Sequence, residues 1–580
     1  MKLIISKSKN SASLYAAKSV YINGKRTTKI VEKLGTVAEL EKKLNGQDPI
    51  EWAKKYIEEL TIKEKEGTRE VLVRYSPTKL INKGEQHCFN GGYLFLQQIY
   101  HELKLHKLCK KISQKYKFKF NLDSIFSRLV YCRILFPLSK LATFEESKKF
   151  IEQPDFELHQ IYRALEYLTK ETDLIQSFLY ESSLKISKRN TGILYYDCTN
   201  FYFEIEEADG IKQYGASKDN KPNPIVQMGL FMDGDGIPLA FSINSGNTNE
   251  QLTLKPLEKK ILSDFELSKF VVCTDAGLSS EANRKFNDRD GRAFVTTQSI
   301  KKLKAYLKKW ALAPTGWKLP GSDETYDISK LDEMIEKADA RDKGKLRVQV
   351  FYKERWINEN GLEQKLIVTY SVRYRDYQRK IRNSQIERAK KAIDGNPETI
   401  NKYNQNDYKR FISKTSITTD GEVADKKIYS INTNLIQKEE SFDGFYGVCT
   451  NLEDDVSEII KINHRRWEIE ECFRIMKSEF EARPVYLTRE ERIEAHFITC
   501  FIALVIYRLL EKRLHEEFTC PEIIKELREM NFMEIKGEGY VPIYTRTDFT
   551  DALHEAFGFR TDYQIVTTSM MKKILKQTKT

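Results

Sequence analysis

Three acids and a ladder of cations are the residues of this chain best suited to chemistry. Asp197 closes the apolar run Ile193-Leu194-Tyr195-Tyr196, and Asp275 closes a second, Phe270-Val271-Val272-Cys273-Thr274, just before a turn at Ala276-Gly277. Runs of this kind read as buried strands, and functional groups of open α/β sheets collect at strand carboxyl ends. Glu470 lies 195 residues beyond Asp275, inside KINHRRWEIEECFRIMKSEFEAR at 461–483. At about 100° per residue that stretch is an amphipathic helix, with Ile462, Ile469, Phe473, Met476 and Phe480 on one apolar stripe. Arg466, Glu470, Arg474 and Lys477 follow one another at spacings of four, four and three, so they share a face beside the stripe. Glu468, Glu471 and Glu479 are expected to point to solvent. The bland alternative is a surface helix with ordinary i,i+4 ion pairs and two aspartates that merely form turns, and the rest of the chain decides between the two.

Three carboxylates converging from separate elements repel one another unless a cation neutralises them. A set of hard oxygen donors without His or Cys points to Mg²⁺ or Mn²⁺. Two such ions activate water or a 3′-hydroxyl and stabilise the leaving oxygen in phosphodiester chemistry. Arg466, Arg474 and Lys477 would then neutralise and orient a phosphate backbone. The nine cysteines stand singly and the eight histidines form no HExxH, which argues against zinc and a disulfide framework and for a reducing cytosol. Asp233-Gly234-Asp235-Gly236 looks superficially like a phosphate loop, but the chain has neither GxxxxGK[ST] nor a strand–GxGxxG–helix unit. It reads as a hairpin turn between Pro224–Met232 and Ile237–Ile243.

The elements that must position these residues divide into six stretches. Residues 1–70 read as a small β-hairpin, turning at Asn23-Gly24, followed by a helix. Residues 71–190 are helical and basic. Lys104–Lys119 holds seven lysines, and the interleaved Lys115-Tyr116-Lys117-Phe118-Lys119-Phe120 suits phosphate contact with base stacking, or a solvated helix face leading into a strand. Asn121 begins a helix that Pro137 ends. Residues 191–299 and 441–515 form an α/β core. A β-rich basic insertion separates them at 300–440, with strands at Leu346–Tyr352 and Leu366–Tyr374 and eight basic residues against two acidic ones over 373–391. Residues 516–580 are peripheral.

A net charge of +12 on a chain with 84 acids implies local basic surfaces, so nucleic acid is the first partner to expect and an anionic membrane surface the second. The longest apolar run, 497–507, is half a membrane span, so a soluble protein is expected.

With these motifs in hand, the chain resembles DDE transposases of the bacterial IS4-like superfamily, most closely the IS1634-type branch. The family signature of Tyr, two residues, Arg, three residues, Glu, six residues, Lys falls on Asn463, Arg466, Glu470 and Lys477, with Asn463 replacing the tyrosine. YYDCTNFYFE at 195–204 and VVCTDAGL at 271–278 resemble the two Asp motifs. Gly215-Ala216-Ser217-Lys218-Asp219 resembles a stretch typical of the branch, and Arg474 matches a further basic position. The resemblance implies an RNase H-like fold with a β-rich insertion before the Glu. Asp197, Asp275 and Glu470 would hold two Mg²⁺ or Mn²⁺ ions, and Asn463, Arg466, Arg474 and Lys477 would contact DNA. It further implies cleavage at transposon-end DNA, transfer of the 3′-hydroxyls into target DNA, and a homodimer in the DNA complex. A flipped base held by an aromatic of the insertion, Trp310 or Trp356, is also implied. An RNase H-like nuclease that cuts without joining and a domesticated DNA-binding protein are the alternatives; a glycosidase is a distant third.

Overall fold

The computed structural model describes residues 1–8, 11–22, 25–44, 47–67, 71–73, 76–395, 407–417 and 426–580. They form two compact units, residues 1–85 with 535–538, and residues 86–534 with 539–580. In the first unit the strands Lys2–Ser8 (β1), Ser11–Ile22 (β2) and Lys25–Thr36 (β3) form an antiparallel sheet in that order. The turn expected at Asn23-Gly24 lies outside the described residues, but the strands on either side pair as a hairpin. Thr36 then stops the strand and starts the helix Val37–Lys43 with a capping box. Its hydroxyl accepts from Glu39 N at 3.3 Å, while the Glu39 carboxylate accepts from Thr36 N at 2.9 Å.

The second unit is built on one helix, Glu490–Arg513, whose side chains from Ile493 to Leu510 are almost all buried. A helix apolar all round belongs inside a core, and this one is surrounded by the helices Tyr93–Glu102, Leu122–Leu135 and Leu158–Lys170 and by the large sheet. It alone among the described residues is long and apolar enough to cross a membrane, and 94% of its apolar window is buried within the protein. Gly92 permits the closest approach in this layer, since a Cβ there would sit 1.9 Å from the Leu527 carbonyl oxygen. The short strand Cys88–Asn90 (β4) precedes it.

The sheet that carries the acids has ten strands. Those of its first half are Ile193–Tyr202 (β5), Ile225–Asp233 (β6), Pro238–Ser245 (β7), Val271–Thr274 (β8) and Ala293–Gln298 (β9). They lie in the order β7-β6-β5-β8-β9, the first three antiparallel and the last two parallel to β5. The Asp233–Gly236 hairpin turn joins β6 and β7 as expected. Buried Asp233 holds it by accepting from the Asp235 and Ile237 amides and from Arg189 Nε at 2.6 Å.

Residues 300–440 do not form a separate β-rich unit. Trp317–Lys318 (β10), Thr325–Tyr326 (β11), Phe351–Glu359 (β12) and Leu362–Tyr370 (β13) extend the same sheet, which they join through Phe445–Thr450 (β16) beside β9. A separate hairpin of Ile412–Ile417 (β14) and Lys426–Ile431 (β15) and the long helix Val372–Gly395 complete the stretch. The strand expected at Leu346–Tyr352 is instead the end of the helix Ala340–Val348 and the start of β12, and the strand expected through Tyr374 ends at Tyr370. Short apolar runs do not discriminate helix from strand. The aromatics at 116–120 are used internally. Phe118 stacks on Phe120 with centroids 4.2 Å apart, both face Tyr167, and the Tyr116 hydroxyl donates to Glu171.

Candidate active site

Asp197 and Asp275 are brought together by strand register. In the parallel pair β5 and β8, Ile193 faces Val271, Leu194 faces Val272 and Tyr195 faces Cys273. Two residues on, Asp197 lies within β5 and Asp275 directly follows the end of β8, so the same 78-residue offset brings the two acids to neighbouring positions. Asp197 Oδ1 accepts from the Cys198 amide at 2.8 Å, and Asp275 Oδ1 accepts from Leu278 N at 2.9 Å to close its turn. Burial, with Asp275 adding to it against the opposing pull of Lys218, pushes the Asp197 carboxyl up to about 6.

The expected continuous helix over 461–483 is broken twice. Val456–His464 ends, Arg465 and Arg466 form a turn, Trp467–Arg474 resumes, and Ile475–Glu479 is a π-helical turn. The end of the first segment is pinned to the sheet: Tyr195 Oη donates to the Ile462 carbonyl at 3.0 Å. Asn463, 8% exposed, reaches Thr297 Oγ1 at 3.3 Å and Tyr446 Oη at 3.2 Å, and those two hydroxyls lie 2.7 Å apart. Asn463 therefore ties the helix to β9 and β16 with a buried side chain. Arg466, at the break, turns in among the acids and pairs with Glu470 at 2.8 Å. Burial opposes its charge, but Glu470, then Tyr446, Asp197 and Asp275, outweigh that and raise its pKa. The Arg466 guanidinium thus feels Glu470 most strongly and Asp197 and Asp275 less so.

The two remaining cations part company because the π turn adds a residue to the helical repeat and rotates the residues beyond it. Arg474 is exposed and pairs with Glu471 at 2.6 Å and Glu479 at 3.3 Å. Lys477 points inward to Asp219 at 3.6 Å, beside the Phe201 ring, and burial lowers its pKa. Glu468, expected in solvent, is buried against Arg465 at 3.0 Å and Arg508 at 3.5 Å. The apolar stripe is placed as expected: Ile469, Phe473, Met476 and Phe480 are buried and Ile462 packs against the same core.

Residues that periodicity overlooked complete the surroundings. Lys218 donates to the Cys198 carbonyl oxygen and lies 3.4 Å from Glu250; burial opposes its charge, but Asp197 and Glu250 raise its pKa. Asp219 bridges Lys477 and Arg483. The signal was the Gly215–Asp219 stretch itself. Gly215 must be glycine because a Cβ there would meet the Gly246 carbonyl oxygen at 2.0 Å, and this close approach lays the Lys218 loop along β5.

Asp197, Asp275 and Glu470 carry oxygen donors of the kind that suits Mg²⁺ or Mn²⁺, but they are not found gathered within 4.8 Å of one another. Among the described residues the acid–histidine trio already gathered within 4.8 Å is a different one, Asp551, His554 and Asp562. Its carboxylates are neutralised by Arg546 and Arg560 at 2.5–2.9 Å, so it needs no ion.

Residues 361–506 match the family model described as transposase DDE domain, a stretch that contains Glu470, Arg466 and Lys477 but neither aspartate. The match supports a DDE transposase, a class of nucleic-acid-cutting and -joining enzymes that typically use divalent metal ions. No curated protein matches the chain. Six chains among solved structures match, including the piggyBac transposase synaptic complex with hairpin DNA seen by cryo-EM. That similarity has 9% identity and a TM-score of 0.34, over 76% of this chain and 78% of that one.

Proposed function

We propose that the chain is a DDE transposase of the IS4-like superfamily, IS1634-type branch, that cuts insertion-sequence ends and joins their 3′-hydroxyls to target DNA. The observation that carries this reading is the register of the adjacent parallel strands β5 and β8, which brings Asp197 and Asp275 to neighbouring positions, with Arg466 paired to Glu470 and within the field of both aspartates. The β7-β6-β5-β8-β9 order and the long stretch between the second Asp and the Glu support an RNase H-like core with an insertion. Asp197, Asp275 and Glu470 would hold two Mg²⁺ or Mn²⁺ ions, which when bound would supply an activated oxygen nucleophile and charge stabilisation at the scissile phosphate. The chain's own part is to hold the acids apart until then: Arg466 balances their charge, and Lys218 and Lys477 bring further positive charge for the DNA backbone. Trp356, 43% exposed, and Trp310, half-buried beside Arg355 at the edge of a cavity of about 360 Å³, are the aromatics available for a flipped base. The partners are transposon-end and target DNA, the working form is a homodimer on DNA, and the site of action is the bacterial cytoplasm.

The test is cleavage and strand transfer by the purified protein on DNA carrying the two ends that flank its gene, with Mg²⁺, with EDTA, and with Glu470→Gln. Metal-dependent nicking at the ends with joined products, both lost in Glu470→Gln, is expected. Cutting without joining would replace the reading with a nuclease, and tight binding without cleavage with a domesticated binder.

A further inference from the structure

A cavity of about 300 Å³ opens beside the helix Lys140–Ser147, lined by the cations Arg133, Lys140 and Arg483 and by Tyr162, Pro484 and Tyr486. Its floor holds an anomaly. Lys140 is only 6% exposed, yet among the described residues its ammonium has neither a hydrogen bond nor an ion pair. Buried ammonium groups are normally paired, because an unpaired one is costly. Next to it, Arg133 is 5% exposed and donates to the Phe480 carbonyl at 3.0 Å and the Leu138 carbonyl at 3.3 Å, leaving its Nε without an acceptor. His496, also lining the cavity, is kept neutral by burial, its ring against the Ala482 carbonyl at 3.2 Å. The one acid of the lining, Glu481, is exposed and pairs with neither buried cation. Lys140 is also the first residue of its helix, so the backbone dipole adds to the positive end. Two buried cations with no counter-charge, at the wall of a cavity with aromatic sides, are short of one anion.

We infer that this cavity is a subsite for a phosphate of a DNA strand, held by Lys140 and Arg483, with the attached sugar or base against Tyr162 and Tyr486. The inference rests on the proposed function for its choice of DNA and goes beyond it in naming a place for the strand. The connection to the acids is physical. Arg483 pairs with Asp219, Asp219 with Lys477, and the neighbouring Lys218 donates to the Cys198 carbonyl beside Asp197. Exposed Tyr486 stands at the mouth, where a base leaving the duplex would stack. Of these groups only Lys477 lies on the face of the 461–483 stretch that residue spacing singles out.

The test is metal-free binding by the full chain in EDTA, read by fluorescence anisotropy with a labelled eight-nucleotide thymidine single strand, with and without a 5′-phosphate. Inorganic phosphate serves as competitor. Lys140→Met is expected to weaken strand binding about tenfold and to flatten its salt dependence by about one ion. It should also abolish the rise in thermal midpoint that millimolar phosphate gives the parent protein. Lys140→Arg should keep both. A preference for the 5′-phosphorylated strand would assign the subsite to a strand end, and equal binding of the two strands to an internal phosphodiester. Equal affinity and an equal phosphate response in Lys140→Met overturn the inference even if cleavage and joining are observed. Lys140-dependent binding in a protein that neither cuts nor joins leaves the subsite standing and removes the transposase reading alone.

Discussion

Lys140→Met should make the ligand-free protein more stable, and by an amount that depends on pH. Burial, with Arg133 adding to it, depresses the Lys140 ammonium to about 7, against roughly 10.4 in an unfolded chain. For a base whose folded pKa is lowered, the cost of folding is full below the folded value and disappears as pH rises to the unfolded one. At pH 7 the cost is on the order of 4 kcal/mol, and at pH 9 about 2 kcal/mol. The charged neighbours do not blur this window. The Arg133 guanidinium adjoins Lys140, burial pushes Cys132 up to about 12 and Cys500 upward and keeps His496 neutral, and Arg483 and Glu481 line the open side of the cavity. Methionine has a similar length and no charge, so little packing is lost. At about 2.1 cal/mol/K of unfolding entropy per residue, a cooperative unit of roughly 490 residues should melt about 4 °C higher at pH 7 and about 2 °C higher at pH 9. Scanning calorimetry of parent and variant at the two pH values measures it. A variant less stable than the parent, or a gain that does not shrink with pH, would show that Lys140 is not a buried, uncompensated cation, and the subsite argument would go with it.

Arg466→Met removes the guanidinium that balances three acids, and single-turnover end cleavage should fall about 10²-fold or more; an unchanged rate would take Arg466 out of the site. Arg189→Met strands Asp233, which is fully buried and loses its 2.6 Å partner, and should cost about 3–5 kcal/mol in urea unfolding. Adding Asp233→Asn should recover part of that loss, and no recovery would mean that the damage is not electrostatic. Gly92→Ala drives a methyl against the Leu527 carbonyl and should cost at least about 1–3 kcal/mol. Gly344→Ala, in an exposed helix with open space around it, should instead stabilise by about 0.5–1 kcal/mol. Shifts of the same sign would refute the packing account.

Much of the core was legible in the sequence because the signals were local. Apolar runs marked β8 and the start of β5, although β5 continues through Asp197 to Tyr202 instead of ending at the acid; Asp233–Gly236 marked the β6–β7 turn, and Asn121 caps the helix it was expected to begin. What escaped depends on long-range pairing. Nothing near 317–370 announces that β10 to β13 extend the acids' own sheet, because sheet edges are joined by strands distant in sequence. Leu346–Tyr352 failed for a different reason: its run of Leu346, Val348 and Val350 around Arg347 and Gln349 satisfies a helix end and a strand start equally well.

The stretch 461–483 shows how far periodicity reaches. It placed the apolar stripe correctly because every turn must present that stripe to the core. Periodicity cannot see where hydrogen bonding along the helix is interrupted, and the helix end just before Arg465-Arg466 is held by Tyr195 and Thr297, on strands remote in sequence, and by Tyr446 on the preceding strand. The consequence is chemical. A straight helix would line up Arg466, Glu470, Arg474 and Lys477 as one ladder, whereas the broken one sends Arg466 to the acids, Lys477 to Asp219 and Arg474 outward to Glu471 and Glu479. On the proposed function, a strand reaching Asp197 would therefore meet Arg466, Lys218, Lys477 and Arg483. Arg474 would contribute only through a shape the free protein does not have.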